Sequence, residues 1–167
     1  MRRIDRIIVH FTATPEGRHV TVKQVDDWHR KNNHWRNGIG YHWLIYLDGS
    51  IHQGRTESMV GAHCVGYNKH SIGVCYVGGL DKDGKTAKDT RTPEQKRALA
   101  CILKDLRGRY PHAKLYGHRE LVCKRKLKDT GISCADCLSR YGDCKFAAKK
   151  CPSFDCHEYD YIFTNNP

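Results

Sequence analysis

The chain has 167 residues, enough for one domain built on one sizeable hydrophobic core. Hydrophobic residues at 39% and charged residues at 28% exclude a disordered chain, and no apolar run approaches the roughly 20 residues of a bilayer span. The net charge of +11 suggests an anionic partner, nucleic acid or the polymers and lipids of a bacterial envelope, with a solvated basic surface that has no specific partner as the plainer reading.

Met1 to about Thr12 reads as a buried strand carrying Ile4, Ile7, Ile8 and Val9. Its apolar run is too short for the h-region of an export signal, so the expectation is a chain made in the cytoplasm. Thr21 and Gln24 have capping-box spacing, and Val22, Val25 and Trp28 recur at the helical interval, which predicts a helix from about Val22 to Lys31. Gly38-Ile39-Gly40 breaks that pattern. Asp48-Gly49 then marks a hairpin between two strand-like runs, where alternation would put Trp43 on the face of Tyr41 and His42 on the other.

A glycine-punctuated stretch from Val60 to Asn68 precedes a strand at about Ser71 to Val77, and GGLDKDGKTAKDTR reads as an exposed loop. Thr92, Pro93 and Gln95 start a second helix, lined by Leu99, Ile102, Leu103 and Leu106, that should end near Tyr110-Pro111. Lys114 to Tyr116 forms a short strand leading into Gly117-His118. Strands alternate with helices, but the hairpin demands an antiparallel pair. The fold class is therefore α/β, with a mixed central sheet flanked by helices.

From Glu120 to Lys150 the chain is rich in lysine, arginine and cysteine and has little apolar periodicity. We read it as a cysteine-rich insertion at about 121–148 within one domain spanning 1–167. The chain has nine cysteines, so at least one thiol stays unpaired in a monomer; reduced thiols, some of them metal-bound, fit better than a disulfide framework.

Three residues stand out chemically. His10 ends an apolar run that should be buried, where a histidine needs a partner. His118 sits at the end of a short strand, a common place to display a functional side chain. Cys151 follows two lysines, whose charge favours the metal-binding thiolate. Three protein ligands with one open position describe a catalytic zinc, but these residues lie too far apart in sequence for spacing to show that they converge.

The segments IIVHFTAT, VDDWHR, GIGYHWLIYLDGSIHQGR, VGAHCVGYNKHSIGVCYVGG, TPEQ, YGHRE and KKCPSFD occur in this order. In them the chain resembles the type-2 N-acetylmuramoyl-L-alanine amidases, which include amidase-type phage lysozymes and peptidoglycan recognition proteins. The resemblance implies zinc held by His10, His118 and Cys151, Tyr41 assisting the water on the zinc, and Lys149 stabilising the developing oxyanion, with Lys150 the competing assignment. It also places His63, Tyr67 and Asn68 in the substrate groove, opposite the plainer reading of a loop packing motif.

The implied reaction is hydrolysis of the amide between N-acetylmuramic acid and L-alanine of peptidoglycan. The implied setting is a phage or prophage endolysin that reaches the wall on release or through export by another route, and a monomer is expected. A non-catalytic peptidoglycan-binding module of the same fold is the alternative. Nucleic acid is not expected as a dedicated partner, because no base-reading helix or stacking motif is present. The insertion departs from the phage pattern: Cys123, Cys134, Cys137 and Cys144 could build a second, structural zinc site, with disulfides or free thiols as the other options.

Overall fold

The computed structural model describes residues 2–34, 36–122 and 150–164. Lys149 and Cys123, Cys134, Cys137 and Cys144 therefore lie outside the described residues, as does nearly all of the expected insertion.

The first strand, β1 (Arg6–Phe11), is shorter than the apolar run led us to expect, and residues 2–5 are not strand. It is followed by β2 (Thr14–Pro15), α1 (Val22–Asn33), β3 (Trp43–Ile45), β4 (Ile51–Gln53), β5 (Ser71–Tyr76), β6 (Gly79–Leu80), α2 (Pro93–Arg109) and β7 (Lys114–Gly117). Residues 118–122 are helical, and near the C-terminus a 3₁₀ turn (Cys156–Tyr159) leads into a one-turn helix (Tyr161–Thr164).

The main sheet has the order β4-β3-β5-β1-β7. β1 lies between β5 and β7 and pairs parallel with both, β3 pairs parallel with β5, and only β4 is antiparallel. A strand with a neighbour on each edge and cover on each face reads as a continuous apolar run, which is why Ile7-Ile8-Val9 lacks the alternation of a half-exposed strand. Ile7, Val9 and Phe11 pack with Ile72, Val74 and Tyr76 of β5 against Leu99, Leu103 and Leu106 of α2. On the opposite face Val25 of α1 packs on Leu44 and Cys75. The architecture is the expected mixed α/β sheet between helices.

Both helix starts carry complete capping boxes, Thr21 with Gln24 and Thr92 with Gln95. The β3–β4 hairpin turns where Asp48-Gly49 predicted, with Gly49 at φ +82°, a left-handed conformation that side chains rarely adopt. Alternation through Tyr41 does not hold, because the strand begins only at Trp43. Tyr41 packs on the α1 side and Trp43 on the α2 side, where its indole N–H donates to Glu57 at 2.7 Å. The stretch after β5 is largely exposed, yet its start pairs with β2 to make a second, two-stranded sheet. No helix among the described residues is long and apolar enough to cross a membrane.

Candidate metal centre

The register of β1 assembles the site. Val9 pairs with Gly117, so His10 of β1 and His118, just past the end of β7, emerge at the same end of the sheet, with ring centroids 4.6 Å apart. His10 points to the α1 face. It is 1% exposed, whereas His118 is half-buried.

Cys151 arrives from the C-terminal segment and is tied to both strands. Arg119 donates its backbone N–H to the Cys151 carbonyl at 2.9 Å, and the Phe11 N–H donates to Cys151 Sγ at 3.4 Å. One residue on, the Tyr76 hydroxyl donates to the Pro152 carbonyl at 2.6 Å, and the Ser153 hydroxyl donates to the Gly79 carbonyl at 2.8 Å.

His10, His118 and Cys151 each offer a donor atom, and all three atoms lie within 4.8 Å of one another. Cys151 Sγ is 3.8 Å from His10 Nδ1. Zinc bonds of about 2.0–2.1 Å to nitrogen and 2.3 Å to sulfur, opened to a tetrahedral angle, span roughly 3.5 Å. Burial, then the neighbouring His118, His63 and His42, hold the His10 imidazole well below its usual pKa. The ring is therefore neutral, the state in which it can ligate a metal. Two imidazoles and a thiol at this spacing fit zinc.

His118 and Cys151 line a cleft of about 540 Å³ together with Trp28, His29 and Asn32 of α1 and Tyr41, among others, and His10 lies buried beside them. The cleft lies beyond the carboxyl ends of parallel strands, where open α/β sheets bind ligands. Tyr41 stands beside His10 with ring centroids 5.1 Å apart. Burial, reinforced by the Cys75 and Cys151 thiols, raises its phenol well above the ordinary 10, so the hydroxyl keeps its proton and is a donor rather than a base. Lys150 is exposed and lines a separate cavity with Phe11, Ala13 and Lys85.

The residues assigned to the groove by resemblance are placed differently. His63 is 9% exposed and sits behind His10, its Nδ1 3.0 Å from His10 Nε2. The Asn68 side-chain oxygen accepts the backbone N–H groups of His63 and Cys64 at 2.9 and 2.8 Å. Tyr67 lies under the Arg6 guanidinium, 5.3 Å from its ring centroid. None of the three lines the cleft. His42, given no catalytic role, accepts the Gly73 N–H at 3.0 Å and meets the Met59 carbonyl at 3.1 Å.

Sequence reading missed Trp28, His29 and Asn32 as cleft residues. VDDWHR was part of the resemblance, but helical spacing assigned Trp28 to the apolar stripe with Val22 and Val25. Outside the site, Glu120, Cys156 and His157 form a second donor group. Glu120 there accepts from Gly117, Cys156 and His157, and the other His157 ring nitrogen meets Asp160 at 3.0 Å. Cys75, Cys101 and Cys156 carry free thiols.

Comparison with known proteins places the chain in a family. Residues 1–131 match the family model described as N-acetylmuramoyl-L-alanine amidase. The endolysin of Escherichia phage T7 is 41% identical over 120 residues, covering 72% of this chain and 78% of that protein. Among solved structures, the Ph2119 endolysin from a Thermus scotoductus bacteriophage superposes with a TM-score of 0.61 at 27% identity, covering 72% of this chain and 75% of that one. The amidase LysC from Clostridium intestinale shares the fold over 99% of this chain and 88% of its own, with a TM-score of 0.68 at 23% identity. With a family model that covers most of the chain and a relative 41% identical over 120 residues, the protein belongs to the type-2 N-acetylmuramoyl-L-alanine amidase family.

Proposed function

We propose that the chain hydrolyses the amide between N-acetylmuramic acid and L-alanine in peptidoglycan, using zinc held by His10, His118 and Cys151. The observation that carries this reading is the convergence of three donor atoms within 4.8 Å, two of them, on His118 and Cys151, from residues that line an open cleft. Zinc, when bound, supplies a Lewis acid for the amide carbonyl and lowers the pKa of a water to about 7.

The protein's own groups do the rest. Tyr41 offers a protonated hydroxyl at the edge of the donor cluster, suited to hold the attacking water or the developing oxyanion. Trp28, His29 and Asn32 give one wall of the cleft an aromatic face and polar edges, a combination that can seat a sugar and a peptide. Lys149 or Lys150 would add positive charge as the carbonyl oxygen becomes negative. A non-catalytic binding module has no need of a complete donor set, and the full set here favours catalysis.

The relatives favour a phage or prophage endolysin, made in the cytoplasm and acting on the wall after release, with the basic surface aiding approach to an anionic envelope. Purified protein should release L-alanine amino termini from peptidoglycan, and a chelator should stop it. Tyr41→Phe should lower kcat by about 10²-fold while leaving zinc bound. Metal analysis of wild type against Cys151→Ala should show one zinc lost. A fall from two to one would favour a second site in the insertion, and a fall from one to none would leave the insertion metal-free. Full activity in Cys151→Ala would end the metal assignment.

A further inference from the structure

We propose that His63 is a positioning residue that, with Ser71 and the Tyr67 carbonyl, presets the tautomer of His10 so that Nδ1 faces the metal position. This rests on the metal reading of His10 and explains why the VGAHCVGYNKHSIG segment sits beneath the site rather than in the cleft.

Four groups form a line of hydrogen bonds: His10 Nε2 to His63 Nδ1 at 3.0 Å, His63 Nε2 to Ser71 Oγ at 3.4 Å, and Ser71 Oγ to the Tyr67 carbonyl at 2.9 Å. The last member fixes the direction of all the others, because a carbonyl oxygen can only accept. The Ser71 hydroxyl must give its proton to Tyr67, which leaves its oxygen to accept from His63 Nε2–H. A neutral His63 with hydrogen on Nε2 has a bare Nδ1, and that nitrogen accepts from His10 Nε2–H. His10 is then left with its lone pair on Nδ1, the atom 3.8 Å from Cys151 Sγ. Reversing any link would put a proton on His10 Nδ1 and block ligation there. Metal-bound histidines gain affinity when their second nitrogen donates to a fixed acceptor.

The surroundings are built for this ring. A Cβ added at Gly61 would lie 2.5 Å from His63 Cδ2, and one at Gly73 would lie 2.7 Å from His63 Cδ2 and Cγ. Both distances are shorter than real Cβ contacts, so two glycines open a slot the thickness of an imidazole. Asn68 secures the backbone at one end by accepting from the His63 and Cys64 N–H groups. Ser71 is fully buried and opens β5, directly opposite Arg6 of β1, so the line is anchored in the sheet that carries His10.

The test combines two measurements on wild type, His63→Ala, His63→Gln and Ser71→Ala. Nitrogen chemical shifts of labelled histidine in metal-free protein report the His10 tautomer, and competition with a chromogenic chelator reports zinc affinity. Wild-type His10 should be the Nε2–H form. His63→Ala should mix the tautomers and weaken zinc about 10- to 100-fold. His63→Gln, whose amide oxygen can still accept, should recover part of the affinity. Ser71→Ala is the milder variant if His63→Ala fails to fold; by releasing the His63 Nε2–H it should shift the His10 tautomer in the same direction. A wild-type His10 with its proton on Nδ1 would overturn the proposal, as would tautomer and affinity unchanged in His63→Ala, or in Ser71→Ala where that variant stands in. A wild type that binds no zinc would defeat the metal reading instead, and the metal-free tautomer would still decide for or against the relay.

Discussion

Tyr76→Phe removes one oxygen from the core and isolates what that oxygen does. Tyr76 is 1% exposed, pairs with Phe11 in the β1–β5 register, and extends across the α2 face to the segment that carries Cys151. Its hydroxyl donates to the carbonyl of Pro152, itself buried, at 2.6 Å. Phenylalanine keeps the ring and its contact with Phe154 but leaves that carbonyl without its donor. An abandoned buried acceptor costs about 1–3 kcal/mol. At roughly 2–4 °C per kcal/mol for a chain of this size, the melting temperature should drop by about 2–12 °C. Thermal and urea unfolding of metal-free protein are the assays, since bound zinc would itself raise stability by mass action. A loss below about 0.5 kcal/mol, the range of ordinary surface substitutions, would refute the claim that this hydroxyl pins the Cys151 segment to the sheet.

Two further outcomes are expected. Thr92→Ala should cost about 0.5–2 kcal/mol in urea unfolding, because it removes the cap of α2 and also a hydroxyl that donates to the Leu47 carbonyl at 2.7 Å; an unchanged midpoint would count against the capping box. For His157, burial opposes protonation, but hydrogen bonds and charge from Glu120 and Asp160 outweigh it and raise the pKa above 6.5. A raised folded-state pKa adds stability that is complete below the unfolded value and lost as pH rises through the folded one. The melting temperature of metal-free protein should therefore fall on the alkaline side of pH 6.5, and His157→Gln should flatten that part of the profile. A wild-type curve with the same shape as the variant's would show that the trio contributes nothing.

What the sequence made legible was local. Capping boxes at Thr21 and Thr92 and the Asp48-Gly49 turn announce themselves over a few residues, and each stands where it was read. The strands β2 and β6 are two residues long, too short for any periodicity to show. The site is harder, because convergence of His10 and His118 depends on the parallel register of β1 with β7, which no spacing encodes. Resemblance supplied those ligands but could not say how deep a side chain lies. His63 and Asn68 have the polar character of groove residues and are spent instead on His10 and on backbone N–H groups. Trp28 fell on a helical stripe that serves the core and the cleft at once.

The hydrogen bond from the Arg119 N–H to the Cys151 carbonyl has a consequence for how the chain can change. It holds the residue after one proposed ligand to the backbone of the next, so the two ends of the intervening sequence are fixed relative to each other. Closing such a loop costs entropy that grows only logarithmically, about 0.6 kcal/mol for each doubling of its length. The bond itself sets no length for the sequence between its two ends.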